Sequence, residues 1–245
     1  MKWSSYRAIT RAALRELGLD EATIQTALES VIEPDRSQDY VVKIGWGGRA
    51  YLAPESHHGV SNSKIIDLLY KARECRLRGE KMMAAHYLGL ALHYVQDRCV
   101  KPGSFLKSHE DVEWEVSEAG VPREAILQGL RDSVSHPIEV ERAVKSIKQY
   151  ASGDDAAWEA AYYTAWLSKA VFSPGSFRRA EIELRRGRRL TKIFGTLSLA
   201  TASIGLIVTA LTHSLLPTLM SLVTLIPLIA ALNRVRKIKR WFGLE

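Results

Sequence analysis

Cysteine is almost missing from this chain. Cys75 and Cys99 are the only two in 245 residues, which excludes a disulfide-stapled scaffold and leaves apolar burial to hold the fold. The first residues, Met1 to Arg7, contain no apolar run of the kind that opens a secretory signal, so the N-terminal region is expected in a reducing cytoplasm. Alternation of apolar and polar residues is scarce: Tyr40 to Ile44 is the stretch that could form a short strand, and no internal repeat is present. Acidic residues nearly vanish after Phe177. Residues 1–177 carry 22 Lys+Arg against 24 Asp+Glu, a net charge of −2, whereas 178–245 carry 12 against 3, a net charge of +9. The basic balance of the whole therefore belongs to its last quarter, and the larger part gives no support to a nucleic-acid partner.

What that last quarter holds is hydrocarbon. Residues 193–211 are nineteen in a row without a charge, and 215–232 are eighteen more. At ~1.5 Å per residue, each run is about long enough to cross a ~30 Å hydrocarbon layer as a helix. Thr212, His213 and Ser214 suit a turn between two antiparallel helices, Pro217 falls in the first turn of the second, and Pro227 predicts a kink there. Ser198, Ala202 and Gly205 are small enough to let two helices approach closely. Arg185, Arg186, Arg188 and Arg189 precede the first run, Lys237, Lys239 and Arg240 follow the second, and the turn has neither Lys nor Arg. Because positive residues stay on the cytoplasmic side, this pattern predicts a two-pass membrane protein with both ends cytoplasmic. Those seven residues are the expected contacts with phospholipid headgroups. The expected organisation is a helical domain over 1–177, a basic linker over 178–192, a transmembrane helical hairpin over 193–232 and a basic cytoplasmic tail over 233–245.

The N-terminal domain reads as all-α. Apolar residues at helical spacing, with stops at glycine and proline, predict helices over Ser5–Leu17, Glu21–Ile32, Ser63–Leu77, Glu80–Asp97, His109–Ser117, Pro122–Asp132, His136–Tyr150 and Asp154–Val171. Asp35 to Asn62, rich in glycine and proline, reads as irregular. Glu80 to Asp97 is the most apolar of these helices and is expected at the centre.

That central helix also carries the chemistry. His93 and Asp97 lie four apart and so share a face. His109 and Glu113 repeat the spacing on the next helix, and His86 lies two turns before His93. Imidazole nitrogen with carboxylate oxygen suits zinc and similar divalent ions, and an i, i+4 pair on a rigid helix can converge on one ion. Loops offer Asp35 and the adjacent His57 and His58 as further ligands. A single His-x-x-x-Asp pair is more often a plain hydrogen bond; it is the accumulation of pairs that points to metal.

The run from Ala85 through His86-Tyr87-Leu88-Gly89 and His93-Tyr94 to Asp97, followed by His109 to Glu113, resembles the zinc-dependent phospholipase C family. Trp3, the Tyr6 to Leu14 helix and the Pro34-Asp35 step fall in the same order. The resemblance covers roughly Trp3 to Glu113. It implies the all-helical fold shared with the S1/P1-type nucleases and a zinc cluster. One site would comprise Asp35, one of His57 or His58, His93 and Asp97; a second would draw on His109 and Glu113. Asp35 would be the general base. Pro102-Gly103-Ser104 stands where that family has Pro-x-His, Tyr6 stands in place of an early-helix histidine, and Met1 and Lys2 precede Trp3. These departures reduce the expected zinc from three ions to one or two. The implied activity is hydrolysis of a phospholipid headgroup phosphodiester. A non-catalytic metal-binding descendant is the first alternative and a nuclease the second.

Overall fold

The computed structural model describes residues 2–36, 40–44, 49–54, 60–101, 108–175, 177–212 and 222–244, with the side chains of 40–44, 51–54, 109, 177, 179 and 212 outside that description. Among the described residues the chain is all-α apart from one small hairpin. The helices of its first part are α1 (Trp3–Glu16), α2 (Glu21–Ser30), α3 (Glu33–Arg36), α4 (Asn62–Leu77), α5 (Lys81–Cys99), α6 (His109–Ala119), α7 (Arg123–Asp132), α8 (Pro137–Ser146) and α9 (Gly153–Phe172). Strands β1 (Tyr40–Ile44) and β2 (Ala50–Pro54) pair antiparallel, Tyr40 opposite Pro54 and Ile44 opposite Ala50. Two long helices follow, α10 (Phe177–Thr212) and α11 (Leu225–Phe242). The chain divides into two compact units, Met1–Gly175 and Ser176–Glu245.

Helix boundaries in the first unit follow local chemistry. Asp20 caps α2 by accepting from Thr23 N at 2.9 Å, and Ser61 caps α4 through Lys64 N. Ser108 and Asp111 form a reciprocal capping box that fixes the start of α6. Gly18 takes a left-handed φ of 77° and ends α1. The expected helix over His136–Tyr150 is shorter, ending at Ser146. Its last residues turn extended because they find other partners: Tyr150 N donates to Cys99 O at 2.8 Å, Lys101 N donates to Tyr150 O at 2.9 Å, and Lys148 N donates to Glu159.

Helix α5 is central, packed against α2, α4 and α9. Leu88, Ala91, Leu92 and Val95 are fully buried on it. Gly89 permits the contact with α2, because a Cβ there would lie 2.6 Å from Ala27 O and 2.7 Å from Ser30 Cβ. Helix α9 presents Ala156, Ala160, Ala161 and Ala165 to its neighbours, small side chains that let α1, α5, α6 and α7 all approach it. Inside this core Gln96 Nε2 donates to Thr10 Oγ1 and Thr164 Oγ1, tying α1, α5 and α9 together. The buried Arg73 guanidinium donates to Val171 O at 2.6 Å and Ser173 O at 2.7 Å, serving carbonyls at the end of α9 that the helix leaves open. Burial lowers its pKa to about 10.

In the second unit, residues 178–192, the expected basic linker, are helical. Their Glu, Leu and Arg content favours helix, and Glu181 pairs with Arg185 one turn on at 2.7 Å. With 36 residues, α10 is ~54 Å long, well beyond the thickness of a hydrocarbon layer. The Ala180–Leu211 part of α10 is long and apolar enough to cross a membrane, and only 11% of its apolar window is buried, unlike a core helix. Helices α10 and α11 pack antiparallel. Ser198 Oγ donates to Thr224 O at 2.9 Å, Gly195 lies beside Leu228, Gly187 accommodates Val235, and Glu183 pairs with Arg234 at 3.2 Å. This register sets Arg185 to Lys192 alongside the C-terminal half of α11, so both basic clusters occupy the same end of the pair. Residues 213–221, which include the expected turn and the start of the second apolar run, lie outside the described residues.

Candidate metal centre

His93 faces inward on α5 and is fully buried. Its Nδ1 lies 2.9 Å from Val31 O, at the C-terminal end of α2. A carbonyl can only accept, so Nδ1 carries the proton, and the neutral ring turns a lone pair outward at Nε2. That atom is buried without a hydrogen-bond partner and lies 3.5 Å from Asp35 Oδ1. Burial, the largest influence, holds the His93 pKa below the usual imidazole value, against the opposing pull of Asp35 and Asp97. The neutral ring is thereby favoured. A lone pair then faces a carboxylate oxygen with no proton between them, an arrangement that repels unless a cation lies there.

The spacing fits such a cation. Two ligands ~2.1 Å from a tetrahedral ion are ~3.4 Å apart, close to the separation of Nε2 and Oδ1. A backbone carbonyl on the far nitrogen is also the usual support of a metal-bound histidine. Asp35 is held from its other side, because Trp3 Nε1 donates to Oδ2 at 2.9 Å. Trp3 is itself covered by Arg36, whose guanidinium lies 5.0 Å from the ring centroid.

Tyr6 joins the remaining carboxylates. Its ring stacks on His93 with centroids 4.8 Å apart, and its hydroxyl donates to Asp97 Oδ1 at 3.1 Å. The phenol pKa is raised well above its ordinary value, first by burial, then by the charges of Asp97, Asp35 and Glu113. Carboxylates of α3 and α5 therefore lie beside one phenol and one imidazole, and the charge of Glu113 on α6 is felt there.

No family model, curated protein or solved structure matches this chain. The geometry has to speak for itself.

Of the residues singled out in sequence, Asp35 and His93 meet directly, Tyr6 links Asp97 to the same imidazole, and Glu113 acts on Tyr6 through its charge. His86 engages Ser30 Oγ at 2.8 Å and Glu33 at 3.6 Å, beside a cavity of ≈ 540 Å³ that Arg7 and Arg36 also line. His57 and His58 lie outside the described residues, as does the side chain of His109. Among the described residues, no three His, Cys, Asp or Glu side chains are placed to hold one ion, so a complete site needs ligands from those segments. Sequence reading missed two supports: the Val31 carbonyl, which has no side-chain signature, and the Trp3 indole, which was noted only for its place in the chain. The seven basic residues expected at a membrane surface lie on α10 and α11, where Arg185 is paired with Glu181.

Proposed function

We propose that this chain is a membrane-anchored, zinc-dependent phosphodiesterase of the phospholipase C type, acting on phospholipid headgroups. The observation that carries the reading is the buried Nε2 of His93, which makes no hydrogen bond and faces Asp35 Oδ1 at 3.5 Å. His93 and Asp35, with His57 or His58, would hold one ion, and Asp97 would join them only once released from the Tyr6 hydroxyl; Glu113 and His109 would contribute to a second. Zinc held there would supply Lewis-acid polarisation of phosphoryl oxygens and activate water near neutral pH. The chain's own side chains orient that chemistry. Val31 fixes the His93 tautomer, Trp3 turns Asp35 Oδ1 toward the imidazole, and Asp35 would accept a proton from the attacking water. The stacked Tyr6 ring covers one face of His93 and keeps water off it.

The anchor is a two-pass hairpin built from the apolar half of α10 and the run 215–232. Basic residues at one end of the α10–α11 pair support a cytoplasmic location for both chain termini and for the N-terminal unit. Tethering would hold the centre near its substrate and raise the effective concentration of headgroups. A single observation favours a non-catalytic metal-binding domain instead: Tyr6 donates to Asp97 and so competes for an expected ligand.

The deciding experiment uses full-length protein purified in detergent, with added zinc and a chromogenic phosphodiester or short-chain phospholipid. Turnover that falls by at least about 10²-fold in His93→Ala is the expected result. Wild-type protein that binds one zinc but turns over nothing, indistinguishable from His93→Ala in the assay, would establish the non-catalytic reading.

A further inference from the structure

Helix α11 carries a feature that bulk attraction between basic residues and a membrane does not explain. Ile229, Leu232, Asn233, Val235, Arg236 and Lys239 line a single crevice of ≈ 640 Å³. The residues recur every three or four positions and so form one stripe along the helix. The stripe is graded. Ile229 and Leu232, 54% and 48% exposed, form its apolar end, whereas Arg236 and Lys239 form its cationic end. From Ile229 to Lys239 is ~15 Å along the axis, half the thickness of a hydrocarbon layer. The register with α10 puts the cationic end beside the basic part of that helix, where phosphates of the cytoplasmic leaflet would lie.

We infer that this crevice is a binding site for one anionic glycerophospholipid. Its phosphate is held by the Arg236 guanidinium and Lys239 ammonium, and the first part of an acyl chain lies along Leu232 and Ile229. Arginine offers a planar fork to phosphate oxygens, the lysine adds a second charge one turn on, and Asn233 supplies an amide to the glycerol region. The exposed apolar pair accounts for the lipid body, because a soluble anion such as inorganic phosphate would leave it wet. This site rests on the membrane reading of α10 and α11, and not on the metal centre.

Native mass spectrometry of the full chain in mild detergent tests it, with phosphatidylglycerol and phosphatidylcholine of identical acyl chains added in turn. A retained phosphatidylglycerol adduct, preferred over phosphatidylcholine and weakened at least about tenfold in Arg236→Gln/Lys239→Gln, is the expected result. Leu232→Asn should weaken the adduct while leaving charge unchanged. Arg178→Gln/Lys192→Gln removes equal charge outside the crevice and should leave the adduct intact. Equal weakening by both charge pairs would show diffuse attraction and overturn the site, as would an adduct indifferent to headgroup or to Arg236 and Lys239. Inorganic phosphate displacing the lipid completely would also overturn it. A chain that needs no detergent to stay in solution would remove the membrane reading underneath, an outcome visible at extraction, before any lipid is added.

Discussion

The Val31 carbonyl decides what His93 can do. By accepting a hydrogen bond from Nδ1–H it leaves Nε2 as a base, and the surrounding core keeps that base neutral. The consequence for stability has a definite sign. The folded pKa lies below the unfolded value of ~6.5, so between the two the unfolded chain binds the extra proton, and stability falls as pH drops through that window. With chelator present, the urea midpoint should therefore decline from pH 7 to pH 5.5, and His93→Gln should flatten the decline. An unchanged slope in the variant would mean that other groups set it. Trp3 makes a second residue-level prediction. Trp3→Phe retains an aromatic ring but deletes the donor to Asp35 Oδ2, and loss of an outer support typically weakens metal affinity about 10- to 100-fold. Competition with a chromophoric chelator measures that directly; unaltered affinity would show that Asp35 is not a ligand.

At the level of elements, the approach of α2 to α5 is what brings Val31 and the α3 segment to His93. Gly89 makes that approach possible. In Gly89→Ala the new methyl would meet Ala27 O and Ser30 Cβ inside van der Waals distance, and backbone on the α2 side cannot move aside cheaply. Destabilisation of about 1–3 kcal/mol is expected in denaturant unfolding, accompanied by weaker zinc binding because Val31 shifts with α2. Helix α6 depends on a different device. Its capping box fixes where Glu113 enters the cluster, so a local exchange of two side chains with two backbone amides sets the position of a charge near Tyr6.

Across the whole molecule, charge and apolarity are segregated into the two units. Unit Met1–Gly175 has a continuous helical core and a near-neutral charge, whereas Ser176–Glu245 exposes Leu199, Leu206, Ile207 and Leu211 on a helix about three times as long as a soluble fold usually employs. Such exposure in water would be costly at roughly 25 cal/mol per Å² of apolar surface, which is why a bilayer is the natural complement. Protease digestion of sealed vesicles tests the sidedness. Fragments from residues 1–175 should appear when the cytoplasmic face is outward and be protected when it is inward; the reverse pattern would invert the proposed topology.

Secondary structure was legible in the sequence because it is written in local patterns. Periodic leucine and alanine on α5, aspartate and serine at helix starts, and glycine after helix ends placed most helices within a few residues of their observed bounds. The end of α8 escaped notice because Tyr150 exchanges hydrogen bonds with Cys99 and Lys101, far away in sequence. The helical state of the basic segment before residue 193 was not legible, since charge alone does not distinguish a solvated helix from a coil. By itself the sequence determined the residue types suited to a cation, the helical spacing of His93 and Asp97, and the length and charge of the apolar runs. Only the tertiary structure decided which of those groups meet. The meeting of Nε2 with Asp35, the phenol beside Asp97 and the tautomer set by Val31 all join residues dozens of positions apart, and helix packing alone brings such atoms within reach of one another.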